Sequence, residues 1–213
     1  MNLSNLRETS VLTRTTNTGI TYARILSRIK QEPPFRGAFH HPSMVLDFGT
    51  GYGNGIPALE THYPTATIHA HDLVHPLEWR HSRGLLIDFL PEEPTYGLVL
   101  AIYVLNVLPL VDRLDAVMEI YDILLPGGIA LFCVRPWHDD VSRTKQYDLT
   151  PERNGILTKH GNVDTFQKGY LPLELESELE WFFSKHPDVE VHALPRRDPS
   201  RGMTSYIHKK EVP

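Results

Sequence analysis

Apolar and polar positions along this chain switch between two periods. Within Val11 to Lys30, Ile20, Ala23, Ile25, Leu26 and Ile29 recur at helical spacing, with Arg24, Arg28 and Lys30 opposite, and predict a helix. The Pro-rich stretch from Gln31 to Ser43 reads as a connector. Residues 44–49, MVLDFG, predict a short buried strand, and a glycine-rich turn follows. GIPALETHY then opens a helix, where Pro57 suits the first turn because its missing N–H costs nothing there. Ala66, Ile68 and Ala70 alternate as in a second strand. RGLLIDFL predicts a third, and YGLVLAIYVLNVLP a fourth with its exit loop. Leu114, Val117, Ile120, Tyr121 and Leu124 share a helix face, which Pro126, Gly127 and Gly128 should end. IALFCVR predicts a fifth strand. ELESELEWFFSKH reads as a helix with Leu175, Leu179 and Phe182 or Phe183 inward, and two alternating strands, VEVHALP and MTSYIHKK, close the chain.

Strand and helix therefore alternate through the middle of the chain. The expected fold is α/β: a Rossmann-like, seven-stranded, mostly parallel sheet with a C-terminal antiparallel hairpin and helices on both faces. Residues 1–43 read as an N-terminal helical extension and 44–213 as the main domain. The stretch from Trp137 to Tyr170 is polar, contains aromatics and is long for a loop, which suggests a lid-like insertion at the ligand edge of the sheet.

Composition narrows the picture by exclusion. The chain has 213 residues, 41% hydrophobic and 22% charged, as in ordinary soluble domains. No apolar run approaches a membrane span, and the polar N-terminus lacks the core of a signal peptide, so the plain expectation is a cytoplasmic protein. The formal charge of −5 counts against a whole-surface grip on nucleic acid. A local basic group remains at Arg196, Arg197, Arg201, Lys209 and Lys210, and a solvated hairpin end is the favoured explanation for it. One cysteine, Cys133, excludes a disulfide framework and reads as core packing. Twelve scattered histidines form no metal-binding spacing, so no metal site is expected.

The turn after the first strand changes the picture most. VLDFGTGYGNG places Gly49, Gly51, Gly53 and Gly55 at alternate positions. Glycine permits positive φ and lets backbone N–H groups approach a ligand closely, at the strand ends where parallel sheets bind ligands. Asp72 closes the second strand about 20 residues on, where an acid can accept hydrogen bonds from two ribose hydroxyls. A nucleoside cofactor is expected, and both NAD and S-adenosylmethionine (SAM) carry the ribose. NAD's pyrophosphate wants uncluttered amides, whereas SAM's sulfonium and amino-acid tail tolerate an acid, so Asp47 favours SAM.

These residues resemble the first motif of class I SAM-dependent methyltransferases, D/E-x-G-x-G-x-G, and the later strands resemble the rest of that family over roughly Met44 to Lys210. The resemblance implies SAM as cofactor and S-adenosylhomocysteine (SAH) as product. It implies cofactor contacts from Asp47, Gly49, Thr50, Gly51, Gly53, Asp72, Leu73, Asp88, Phe89 and Ile102. Tyr103 and Asn106 stand where the acceptor is expected and are the catalytic candidates; Arg135, Trp137, His138, Gln167 and Tyr170 are candidate substrate contacts. The first helix is expected to close over the cofactor, with Arg14 or Tyr22 reaching in. IYVLNVLP and DTFQK also resemble segments of methyltransferases found beside DNA phosphorothioation genes, which would suggest a phage or DNA-modification setting. Asn106-Val107-Leu108-Pro109 lacks the Pro-Pro-aromatic pattern of DNA amino-methyltransferases, which counts against base N-methylation. The expected acceptor is a small molecule, a nucleotide or a nucleic acid, the last not indicated by the charge. Two alternatives stay open: a SAM-binding module without catalysis, and a nicotinamide-dependent oxidoreductase.

Overall fold

The computed structural model describes residues 18–29, 41–72, 84–137, 155–160, 163–194 and 203–211. Helix α1 spans Thr18–Ile29, strand β1 Met44–Phe48, α2 Ile56–His62, β2 Thr67–His71, β3 Leu85–Leu86 and β4 Tyr96–Ile102. A 3₁₀ turn at Leu105–Val107 leads to α3, Leu110–Ile123, and β5, Leu124–Val134. Strands β6, Ile156–His160, and β7, Val163–Gln167, precede α4, Glu174–Phe182, then β8, Val189–Ala193, and β9, Met203–Lys209. Seven strands form one sheet in the order β3-β2-β1-β4-β5-β9-β8. The first five are parallel, and β9 runs antiparallel to both β5 and β8.

The strand period sorts side chains onto two faces. Leu46, Val99, Ala101, Ala130 and Phe132 pack with Val117 and Ile120 of α3 and Leu175 and Leu179 of α4. Val45, Leu98, Leu100, Leu131 and Cys133 pack on the other face with Tyr22, Leu26 and Ile29 of α1 and Ile56 and Leu59 of α2. Cys133 is core, and burial pushes its thiol up to about 12. Ala23 turns outward, and Tyr22 takes the inward place instead.

Three boundaries differ from the sequence expectation. The third strand shrinks to Leu85–Leu86, because it is an edge strand that pairs only with His69 and Ala70 before the chain turns away. Helix α3 ends at Ile123, and Pro126, Gly127 and Gly128 lie inside β5, not after the helix. The β4–β5 register shifts between Tyr96 and Leu98, where Gly127 takes a φ of 78°, so the helix breakers serve as a kink entering the strand. The insertion carries an antiparallel hairpin, β6–β7. No helix among the described residues is long and apolar enough to cross a membrane.

Candidate active site

The turn leaving β1 is stapled to the end of β2. Gly49, Gly51 and Gly53 have φ of 71°, 59° and 73°, a region that side chains rarely tolerate. The amides of Gly49 and Thr50 donate to the His71 carbonyl at 2.8 and 3.1 Å. The Gly51 amide donates to Asp72 Oδ2 at 2.7 Å. The acid from the second strand thus meets the glycine turn directly, as its spacing suggested. Part of the glycine requirement comes from the protein itself. A Cβ at Gly49 would lie 2.4 Å from Val104 Cγ2, and one at Gly55 would lie 2.5 Å from the Tyr22 ring.

Asp47, the penultimate residue of β1, is not exposed to solvent. Tyr22 Oη donates to its Oδ1, and Thr50 Oγ1 donates to its Oδ2 at 2.7 Å. Burial pushes this carboxyl up to about 6; the two hydroxyls pull it back, and the charge of Asp72 adds to the rise. The Tyr22 phenol is pushed well above its usual value by the same burial and by Asp47. Among the described residues no cation pairs with Asp47. A buried carboxylate held only by neutral donors will attract a ligand cation. Tyr22 reaches Asp47 from α1, while Arg14 and Leu73 lie outside the described residues. Ile102 is buried at the end of β4, and Asp88 and Phe89 are exposed beyond β3, Phe89 to 86%.

One strand over, Tyr103 leaves β4 with a φ of 63°. A non-glycine residue held there costs roughly 1–3 kcal/mol, and such strain gathers at functional sites. Its amide donates to the Cys133 carbonyl at 2.8 Å, extending the β4–β5 pairing by one residue. The Arg135 guanidinium carbon lies 5.5 Å from the centre of the Tyr103 ring. Trp137 and Gln167 are half-buried, and His138 lies outside the described residues.

Two of the expected contacts are corrected. Asn106 is buried, and both ends of its amide are taken by backbone: Nδ2 donates to the Lys168 carbonyl at 2.5 Å and Oδ1 accepts from the Arg135 amide at 2.9 Å. The Lys168 amide also donates to the Asn106 carbonyl at 2.7 Å. Asn106 therefore ties three chain segments together and does not present its amide to an acceptor. Tyr170 is fully buried, and its hydroxyl donates to Glu178 Oε1 at 2.9 Å, so it belongs to the core rather than to a substrate surface.

Beneath this clamp lies a charge network that the sequence reading missed. Arg113, without exposure, donates from Nε to Glu178 Oε1 at 3.0 Å, from Nη2 to Glu178 Oε2 at 3.3 Å and from Nη1 to the Leu108 carbonyl at 2.7 Å. Lys168 Nζ bonds Glu174 Oε1 at 2.5 Å and lies 4.5 Å from the centre of the Tyr170 ring. Burial lowers the Lys168 ammonium, and Glu174 pulls it back. A signal was present: Arg113 stands four residues before Val117 and seven before Ile120, within the apolar stripe of α3.

No protein-family model and no curated protein matches this sequence. Solved structures do. A structure of the plantazolicin methyltransferase BpumL with a monoazolic desmethylPZN analog and SAH superposes with a TM-score of 0.67 at 11% identity, over 92% of this chain and 86% of that one. The Burkholderia thailandensis 1,6-didemethyltoxoflavin-N1-methyltransferase, with 1,6-didemethyltoxoflavin and S-adenosylhomocysteine bound, gives 0.59 at 19% identity over 98% and 87%. SAM-bound CalS10, an amino pentose methyltransferase from Micromonospora echinaspora, gives 0.56 at 16% over 94% of each chain. The antiparallel strand between β5 and β8 agrees with this likeness and departs from the dinucleotide-binding strand order. This chain has the fold of the class I SAM-dependent methyltransferases.

Proposed function

We propose that this chain is a SAM-dependent methyltransferase with a small-molecule or nucleotide acceptor. The observation that carries the reading is the staple between Gly51 and Asp72 at the carboxyl edge of the sheet, with buried Asp47 beside it. A carboxylate has about four lone-pair directions, so Asp72 can hold the turn and still accept from ribose hydroxyls. Asp47 would hold the cationic part of the cofactor, and Tyr22 would close that side. Asp88, Phe89 and Ile102 would border the adenine. Bound SAM supplies an electrophilic methyl group on its sulfonium.

The protein's task is then alignment and exclusion of water, which can contribute about 7–11 kcal/mol. Tyr103 and Arg135, next to the glycine turn through Val104, would border the acceptor. Asn106 would act by positioning Arg135 and Lys168. Residues 137–170 would serve as the lid of the 44–213 domain. Two neighbours are named for 1,6-didemethyltoxoflavin and an amino pentose, which favours a small acceptor.

Calorimetry with SAM and SAH tests the cofactor. The wild type should bind both, and Asp72→Ala should weaken binding at least about 100-fold, roughly 2.7 kcal/mol, while its unfolding stays cooperative. Normal SAH binding by Asp72→Ala would overturn the site. A labelled-methyl screen over nucleotides and small metabolites then identifies the acceptor, and binding without transfer would leave a SAM-binding module.

A further inference from the structure

The acceptor end of the site holds a half-buried arginine, Arg135, that meets no acid among the described residues. Its guanidinium carbon lies 5.5 Å from the centre of the Tyr103 ring. The other buried or half-buried cations nearby are all occupied: Arg113 by Glu178 and Lys168 by Glu174. Arg135 is also held firmly by its backbone. Its amide donates to Asn106 Oδ1 at 2.9 Å, and its carbonyl accepts from the Tyr170 amide at 3.0 Å. Main-chain anchors on both sides, together with a ring beneath the guanidinium, pre-organise the fork before any ligand arrives.

The location gives that cation a purpose. Arg135 follows β5 directly, and Tyr103 follows β4, at the edge where Val104 lies against Gly49 of the glycine turn. Asp47, which precedes that turn, pairs with no cation among the described residues. The carboxyl edge of the sheet thus carries an acid at the end expected to hold the cofactor and a cation at the end expected to hold the acceptor.

We propose that Arg135, stacked on Tyr103, binds an oxyanion of the methyl acceptor, either a carboxylate or a phosphate, and so restricts the enzyme to anionic acceptors. This rests on the methyltransferase reading above and deepens it. A guanidinium accepts either oxyanion as a planar fork, and charge-assisted bonds of this kind are about twice as strong as neutral ones.

The experiment uses the full chain saturated with SAH, with benzoate, phenyl phosphate and benzamide as probes at fixed ionic strength, followed by calorimetry or ligand-observed NMR. The wild type should bind the two anions roughly 10-fold tighter than benzamide, and the tighter anion identifies the source of the charge. Arg135→Gln should level the three affinities, and Arg135→Lys should keep only part of the preference. Equal binding of benzoate and benzamide by the wild type, or an anion preference that survives in Arg135→Gln, overturns the proposal. Loss of SAH affinity in Arg135→Gln overturns it too, by putting the guanidinium on the cofactor's own carboxylate. If the wild type itself fails to bind SAH, the methyltransferase reading fails first, and the two failures are told apart.

Discussion

The molecule keeps buried charge in two ways. Below the clamp, Arg113 faces Glu178 and Lys168 faces Glu174, so each cation has an acid within 3.0 Å. At the carboxyl edge of the sheet, Asp47 is equally buried, and among the described residues its side chain is held by two hydroxyls and no cation. The paired charges tie α3, α4 and the end of β7 together, each cation already met by an acid. The lone carboxylate lowers stability, and a cationic ligand would relieve that cost. Paired charge marks structure here, and unpaired charge marks the candidate site.

The largest expected effect comes from breaking a pair. Glu178→Ala leaves the Arg113 guanidinium uncompensated in the core and removes the acceptor of Tyr170. It should cost about 3–5 kcal/mol in urea unfolding. Arg113→Met combined with Glu178→Met should cost less than Glu178→Ala alone, because no charge is left unmatched. A double variant as unstable as the single one would mean that the pair contributes attraction beyond its own desolvation.

Asp47 should behave in the opposite way. Its folded value of about 6 lies above the unfolded 3.8, so its contribution to stability is fully present below pH 3.8 and is lost as pH rises through 6. The gap amounts to about 3 kcal/mol. Asp47→Asn cannot ionise, so relative to wild type it should gain up to about 3 kcal/mol between pH 4 and pH 7. Urea titrations at the two pH values measure this directly. An unchanged difference would show that the carboxylate is not desolvated, and the contrast with the paired network would dissolve.

The same contrast explains what the sequence disclosed. The glycine turn, Asp47 and Asp72 were legible because their signals are local: a strand period, a turn composition and a fixed spacing. The core face of α4 was legible for the same reason; on α3 only Val117 and Ile120 were, since Ala116 and Ile123 face the core where Leu114 and Tyr121, both half-buried, were expected. Asn106 and Tyr170 were misread because what occupies them arrives from far along the chain; Asn106 meets Lys168 across 62 residues. The stretches around Asn106 and Lys168 are also those that suggested a DNA-modification relative, and here they hold the clamp. The start of β5 was misplaced because Pro126 and the two glycines after it signal a break without saying whether it ends a helix or bends a strand.

The smallest expected effect sharpens the comparison at the unpaired end, where α1 seats Tyr22 against Asp47. Gly55 has an ordinary helical φ of −80° as the first cap of α2, so a bare Gly→Ala change there should stabilise by about 0.4–1 kcal/mol. The new Cβ, however, would meet the Tyr22 ring at 2.5 Å, and a buried aromatic ring cannot yield as a flexible chain end does. Gly55→Ala should therefore cost about 1–3 kcal/mol by moving α1 and parting Tyr22 from Asp47. In a Tyr22→Ala background the obstacle is gone, and the same substitution should turn neutral or stabilising. A double-mutant cycle by urea unfolding reads the coupling. A coupling near zero would mean that α1 does not bear on the glycine turn, and Tyr22 would lose its place as the donor that keeps the unpaired carboxylate in position.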